Sequence, residues 1–188
     1  MSQPELLRRV VEALESAGIG YMVTGSVASS LQGEPRATHD IDIVIEVAAH
    51  QLRELLRSFP RPDFYVSEEA AREALQTGGM FNVLDTVEGD KVDFWLLTDD
   101  SFDQMRFSRK YVEEVFGIHL SVTSPEDTIL QKLRWVNLSG GSGKAFMDAL
   151  RVYEVQQGAL DLQYMDDWVS RIGVEDLWAR VKAEAEPI

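Results

Sequence analysis

Gly25-Ser26, followed by Arg36-Ala37-Thr38-His39-Asp40-Ile41-Asp42, is the stretch that decides the fold. Just before it, Tyr21 to Thr24 is a short apolar run suited to a buried strand. Gly25-Ser26 ends that run, and Val27 to Leu31 reads as a short helix. Gly33 to His39 is turn-like, with Pro35 breaking helix. Ile41 to Val47 is the clearest strand, because most of its residues are β-branched. Residues two apart on a strand project to the same face. Asp40 and Asp42 therefore point together out of an otherwise apolar segment.

Two carboxylates on one face repel each other, so a purely structural role is costly unless a cation joins them. Mg²⁺ (or Mn²⁺) suits the pair, since it is hard, oxygen-seeking and usually held by one or two carboxylates plus substrate phosphates. Two metals roughly 4 Å apart would need a third acid. Asp93 is the candidate, a lone acid within Val92-Asp93-Phe94-Trp95-Leu96-Leu97 that demands a partner if buried. Gly25-Ser26 lies where strand gives way to helix. Backbone N–H groups at such a start attract phosphate, and glycine permits close approach. Ser26 either adds a hydroxyl donor or simply caps the helix.

Working outward, Ser2-x-x-Glu5 is a capping box, and Leu6, Leu7, Val10, Leu14 and Ala17 follow at helical spacing up to the stop at Gly18. Helices are expected from Ala48 to Ser58, closed by Pro60 and Pro62, and from Glu68 to Gln76, ended by Gly78-Gly79. Met80 to Thr86 and Lys91 to Leu97 read as strands joined by a turn at Val87 to Asp90. A second hairpin spans Arg109 to Val122, turning near Gly117. From Ser124 the pattern is helical, beginning with an N-cap, a first-turn proline and early acids in Ser124-Pro125-Glu126-Asp127. Later helices fit Lys144 to Gln156, Leu160 to Arg171 and Val174 to Ala185. The expected class is α+β: a mixed β-sheet flanked by helices over residues 1–122, with a helical region packed on it over 123–188.

Composition narrows the chemistry. A chain of 188 residues can bury a sizeable core without staples. It has no cysteine, which excludes disulfides, thiolate metal sites and cysteine nucleophiles. His39, His50 and His119 are scattered, which argues against zinc. No window approaches the roughly 20 apolar residues of a membrane helix, and a cytoplasmic protein is expected. The net charge of −14 argues against a long nucleic acid as partner. Arg106 to Lys110 is the most basic window and reads as solvated surface.

Gly25-Ser26, Asp40-Ile41-Asp42 and Asp93 together resemble the nucleotidyltransferase (polymerase-beta-like) superfamily, whose pattern is Gly-Ser, a short helix, acid–hydrophobic–acid and a later third acid. Arg36-x-Thr38-x-Asp40-Ile41-Asp42 looks closest to its AbiEii-like branch, which includes toxin components of toxin–antitoxin systems. That branch also carries a lysine in a later Glu-Asp-headed helix, here Lys132 after Glu126-Asp127. Asp148 matches the last acid of a following helix motif, whereas Ala145 stands where a further acid is usual. The resemblance implies a metal-dependent enzyme that moves a nucleoside monophosphate from a nucleoside triphosphate, ATP among the candidates, to an acceptor, releasing pyrophosphate. Asp40, Asp42 and Asp93 would hold metal, and Asp93 would also serve as base. Gly25, Ser26, Arg36, Thr38 and Lys132 would contact phosphate.

Structural alternatives remain beside these roles. Lys132 reads equally as a snorkelling helix-flank residue, and Asp148 as part of a solvated helix face. Arg36 and Thr38 would equally satisfy the loop, and His39 reads as a loop residue. The acceptor is open between a small molecule, a protein and a tRNA end. The competing function is an inactive nucleotide-binding or partner-binding module, one half of a toxin–antitoxin pair being an example. Phosphate ester hydrolysis would use the same acids but generally adds histidine ligands. Leu138 to Ala145 imitates a phosphate-binding P-loop but lacks its first glycine and its final Ser/Thr, and it follows a helix; it reads as a linker. Asp99-Asp100-Ser101-x-Asp103 reads as an acidic helix start. The four tryptophans are expected in the core or an interface.

Overall fold

The computed structural model describes residues 1–35 and 37–186. Its strands are β1 (Gly20–Thr24), β2 (Asp40–Glu46), β3 (Phe64–Val66), β4 (Met80–Asp85), β5 (Lys91–Leu96), β6 (Tyr111–Val115) and β7 (Ile118–Val122). They form a seven-stranded sheet in the order β3-β4-β5-β2-β1-β7-β6. The sheet is mixed. β2 runs parallel to β5 and β1 parallel to β7, while β1 and β2 are antiparallel. The helices are α1 (Gln3–Ser16), α2 (Gly25–Gln32), α3 (Ala49–Arg57), α4 (Glu68–Thr77), α5 (Ser101–Ser108), α6 (Pro125–Leu138), α7 (Gly143–Gln156), α8 (Leu162–Ile172) and α9 (Glu175–Glu184). This is the expected α+β class, with the helical stretch beginning one residue after the Ser124 cap.

Strand parity divides the sheet into two unlike faces. Tyr21 and Val23 of β1, Ile41, Ile43 and Ile45 of β2, and Val92, Phe94 and Leu96 of β5 enter one large core. Leu6, Leu7, Val10 and Leu14 of α1, Leu52 and Leu55 of α3, and Ala71 and Ala74 of α4 pack against them. The alternate residues turn the other way, and there Met22 and Val44 meet Phe107 of α5 in a small separate cluster. Asp40, Asp42, Lys91, Asp93 and Trp95 share the parity of this second face. The hydrophobic effect thus fixes the polar residues indirectly. Each fully buried isoleucine of β2 stabilises the fold by about 1.5–3 kcal/mol, and a one-residue slip would turn the whole apolar set to the wrong face.

A second core, built from Ile129, Leu133, Phe146, Leu150, Trp168 and Trp178 among others, ties α6 to α9 together. Its attachment includes Asp127, fully buried and reached by the Tyr164 hydroxyl at 2.6 Å and the Ser124 hydroxyl at 2.8 Å. Arg109 lies 3.4 Å from Asp127 and stacks over the Tyr164 ring at 3.8 Å.

Three local expectations are corrected. The three-residue strand β3, between Pro62 and α4, carries too short an alternation to be legible on its own. The basic window is not a solvated surface. Arg106 is buried against Asp103 at 3.0 Å, and Arg109 is held by Glu126 and Asp127. Only two of the four tryptophans, Trp168 and Trp178, are buried. By contrast, the glycine-rich segment after α6 is a short turn as expected, with Ser142 capping α7 through the Ala145 amide.

Ile43 is fully buried in the large core, on the sheet face opposite the acids. Ile43→Ala is expected to lower unfolding free energy by about 3 kcal/mol, read from the urea midpoint at unchanged slope.

Candidate active site

Parallel pairing of β2 with β5 places Asp42 directly beside Asp93, and antiparallel pairing of β1 with β2 places Thr24 on Asp42's other side. One row across the sheet therefore reads Thr24, Asp42, Asp93. Adjacent strands lie about 4.8 Å apart, so the two carboxylates can share a cation. Asp40 pairs with Lys91 one step back along the same strands. Asp40 and Asp42, two apart on β2, and the sequence-distant Asp93 thus occupy one patch of one sheet face.

The chain turns into α2 immediately after Thr24, which is the helix N-cap. Ser26 is therefore inside the first turn and is not the cap. Gly25 has φ +63°, and a Cβ there would collide with the Asp42 carboxylate, lying 2.6 Å from its Cγ. Only glycine combines that left-handed backbone with that close approach. The Ser26 amide donates to Asp42, so this acid also sits on the positive end of α2.

The charges are unevenly compensated. Burial pushes the Asp42 carboxyl above its ordinary range, and the neighbouring Asp93 charge adds to the rise. Hydrogen bonds from the Trp95 indole, at 3.4 Å, and the Ser26 amide oppose it, with the Lys132 charge. Asp93 is buried; its Oδ2 meets Lys91 Nζ at 2.8 Å, while its Oδ1 is buried with no hydrogen-bond partner among the described residues. Lys91 also lies 3.7 Å from Asp40, which is largely exposed. The Asp93 contact, chiefly, raises the Lys91 ammonium above its ordinary range.

An unsatisfied buried carboxylate oxygen next to a second, half-buried carboxylate suits a divalent cation. Among the described residues, no group of three or more His, Asp or Glu side chains is gathered into a ready cage. Two carboxylates are nevertheless the ordinary protein share of a Mg²⁺ site completed by substrate phosphates, so the residues present fit the metal.

A cleft of about 520 Å³ opens beside this patch, lined by Thr24, Gly25, Ser26 and Asp42 on one side and by residues of α6 and α7 on the other; of the three acids, Asp42 alone lines it. Lys132 and Asp148 face each other across those two helices at 2.7 Å, both largely buried and both lining the cleft. Lys132 is thus no snorkelling flank and Asp148 no solvated face. Trp95 and Trp135, expected in a core or interface, are part-exposed on the cleft wall with Leu138. Thr38 stays outside the lining; its hydroxyl lies 3.3 Å from the Asp40 backbone and its carbonyl accepts from Gln3. His39 contacts Asp90 in the preceding loop. Arg36 lies outside the described residues.

Similarity to known proteins agrees with this layout. Residues 6–70 match the family model described as aminoglycoside-2''-adenylyltransferase. Among solved structures, an antigenic nucleotidyltransferase-like protein from Paracoccidioides brasiliensis is 21% identical, with TM-score 0.56 over 99% of this chain and 96% of its own. ANT(2'')-Ia, solved with adenylyl-2''-tobramycin, is 14% identical, with TM-score 0.56 over 97% and 98%. The fold is that of a nucleotidyltransferase. The lincomycin-bound lincosamide antibiotic adenylyltransferase LnuA shares it at 12% identity, with TM-score 0.53 over 82% of this chain and 98% of its own. No curated protein matches the sequence directly. Within this nucleotidyltransferase fold, the residues that sequence reasoning missed are Thr24, Lys91 and Trp95. Lys91 carried a usable signal, since it stands two residues before Asp93 on the same strand and must share its face.

Gly25→Ala is expected to destabilise the protein by at least about 2 kcal/mol, because it adds a collision to an unfavourable φ. Gly117→Ala supplies the reference: it has φ +72° but nothing within 4 Å, so it suffers the backbone term alone. Paired thermal melts should show the larger loss at position 25.

Proposed function

We propose that the chain is a metal-dependent nucleotidyltransferase that moves a nucleoside monophosphate, with ATP as the favoured donor, onto a small-molecule acceptor and releases pyrophosphate. The observation that carries this reading is the Thr24-Asp42-Asp93 row beside the Gly25-led start of α2, at the mouth of a cleft. The adenylyltransferase description of the matching family model favours ATP over the other triphosphates. Adenylyl-2''-tobramycin and lincomycin are small molecules bound by two proteins of similar fold. A concave chamber of this size fits such an acceptor better than a protein or a tRNA end. The exposed Trp95, Trp135 and Leu138 supply an apolar wall against which one could lie.

Residues 1–122 then form the catalytic αβ core and 123–188 the helical region that closes the cleft over it. The backbone amides at the start of α2 orient the phosphates, with Ser26 adding its hydroxyl. Lys132 contributes positive charge from the opposite wall. Mg²⁺ or Mn²⁺ held by Asp42 and Asp93, with Asp40 beside them, would neutralise the triphosphate and polarise the α-phosphorus. Asp93 accepts the acceptor's hydroxyl proton as the new oxygen–phosphorus bond forms and the bond to pyrophosphate breaks. Cytoplasmic residence, where triphosphates are abundant, is part of the same reading; no helix among the described residues is long and apolar enough to cross a membrane.

One feature supports a second reading. The Lys132 ammonium is already bonded to Asp148, which suits a module that binds nucleotide or a partner protein without transfer, as in a toxin–antitoxin pair. Calorimetry with ATP, GTP, CTP and UTP in the presence of Mg²⁺, followed by a radiolabel transfer assay, separates the two. Binding without transfer to any acceptor favours the module.

Asp42→Asn keeps the shape of the site but removes half of the cation's carboxylate pair. It is expected to lower metal-dependent transfer by on the order of a thousandfold, since a bound metal contributes several kcal/mol to the transition state. Undiminished pyrophosphate release would refute the assignment.

A further inference from the structure

Among the described residues, Lys91 is the one cation in contact with the acids of the patch. Its ammonium is 2.8 Å from Asp93 Oδ2 and 3.7 Å from Asp40 Oδ1. Its position follows from strand geometry. Lys91 pairs with Asp40 across β2 and β5, and it precedes Asp93 by two residues on β5, so all three side chains leave the same face. The long lysine stem lets one ammonium reach both acids. Asp93 is therefore half-satisfied: one oxygen is engaged by Lys91, and the other is buried without a partner.

We propose that Lys91 is the resident counter-ion of the carboxylate site and competes with the divalent cation for Asp93. This rests on the metal reading above and goes beyond it by assigning what holds the acids together before metal arrives. Two carboxylates on adjacent strands, Asp93 buried and Asp42 half-buried, repel each other, and the Lys91 ammonium relieves that repulsion without closing the site. A divalent cation entering beside Asp42 brings a larger charge to Asp93, and the ammonium withdraws toward the exposed Asp40. Metal alone binds at Asp42 and the second oxygen of Asp93 against the repulsion of that ammonium. A metal already carried on a triphosphate brings further ligands with it and exchanges more readily. The lysine thus biases the site toward metal arriving with its nucleotide, and it keeps the empty patch from unfolding its own strands.

The test measures free Mn²⁺ by electron paramagnetic resonance in titrations of the full chain, without nucleotide. Lys91→Met should bind Mn²⁺ roughly tenfold more tightly than the wild type, because an opposing charge within contact distance has been removed. Lys91→Arg should stay near the wild-type affinity. In EDTA, Lys91→Met should also melt below the wild type and regain more on Mn²⁺ addition, since ligand binding stabilises by mass action. Lys91→Gln supplies the same comparison if the methionine variant folds poorly. Wild-type Mn²⁺ binding that is abolished by Asp42→Asn but unchanged or weakened by Lys91→Met and Lys91→Gln overturns the counter-ion role while leaving the metal site standing. Absence of Mn²⁺ binding in every variant, with and without ATP, overturns the metal reading and this role together.

Discussion

The juxtaposition of Asp42 and Asp93 across the parallel β2–β5 pair is the constraint on which the rest of the site depends. Neither acid is tolerable there by itself. Burial raises Asp42, and Asp93 leaves one oxygen unpartnered. The surrounding groups are arranged to contain that cost: the Trp95 indole and Ser26 amide on Asp42, the Lys91 ammonium on Asp93, and the Gly25 backbone close enough that no side chain intervenes. A patch so prepared is electrostatically incomplete, and a cation is the simplest group that completes it.

What keeps the acids in place is the opposite face of the same strands. Ile41, Ile43 and Ile45, with Val92, Phe94 and Leu96, are locked against α1, α3 and α4. Because side chains alternate along a strand, burying that apolar set leaves the acids no choice of direction. Stability and site geometry are two consequences of one register. The helical layer contributes differently. The network around Asp127 pins α6, and α6 and α7 then carry Lys132 and Asp148 to the far wall of the cleft.

Much of this was legible from the chain itself. The β-branched run at Ile41 to Val47 announces its strand, and the spacing of Asp40 and Asp42 announces their shared face. The resemblance to nucleotidyltransferases, carried by Gly25-Ser26 and the three acids, anticipates the fold. The strand partners were not readable, since register between β2 and β5 depends on long-range packing and not on local pattern. For the same reason the contact between Lys132 and Asp148, sixteen residues apart on two helices, was hidden behind two separate bland readings. Trp95 and Trp135 were misjudged because a large aromatic residue is usually buried, and the sequence holds no mark of which ones line a cleft. The capping role offered for Ser26 falls to Thr24, a two-residue shift of the sort that helix boundaries commonly show.

The most direct measurement is an anomalous-scattering map from crystals grown with Mn²⁺ and a non-hydrolysable ATP analogue. The account predicts a Mn²⁺ peak at coordinating distance from both Asp42 and Asp93, with the triphosphate at the start of α2 and Lys91 withdrawn from Asp93. A triphosphate bound in the cleft with no Mn²⁺ peak between those acids, and Lys91 still seated on Asp93, would contradict it.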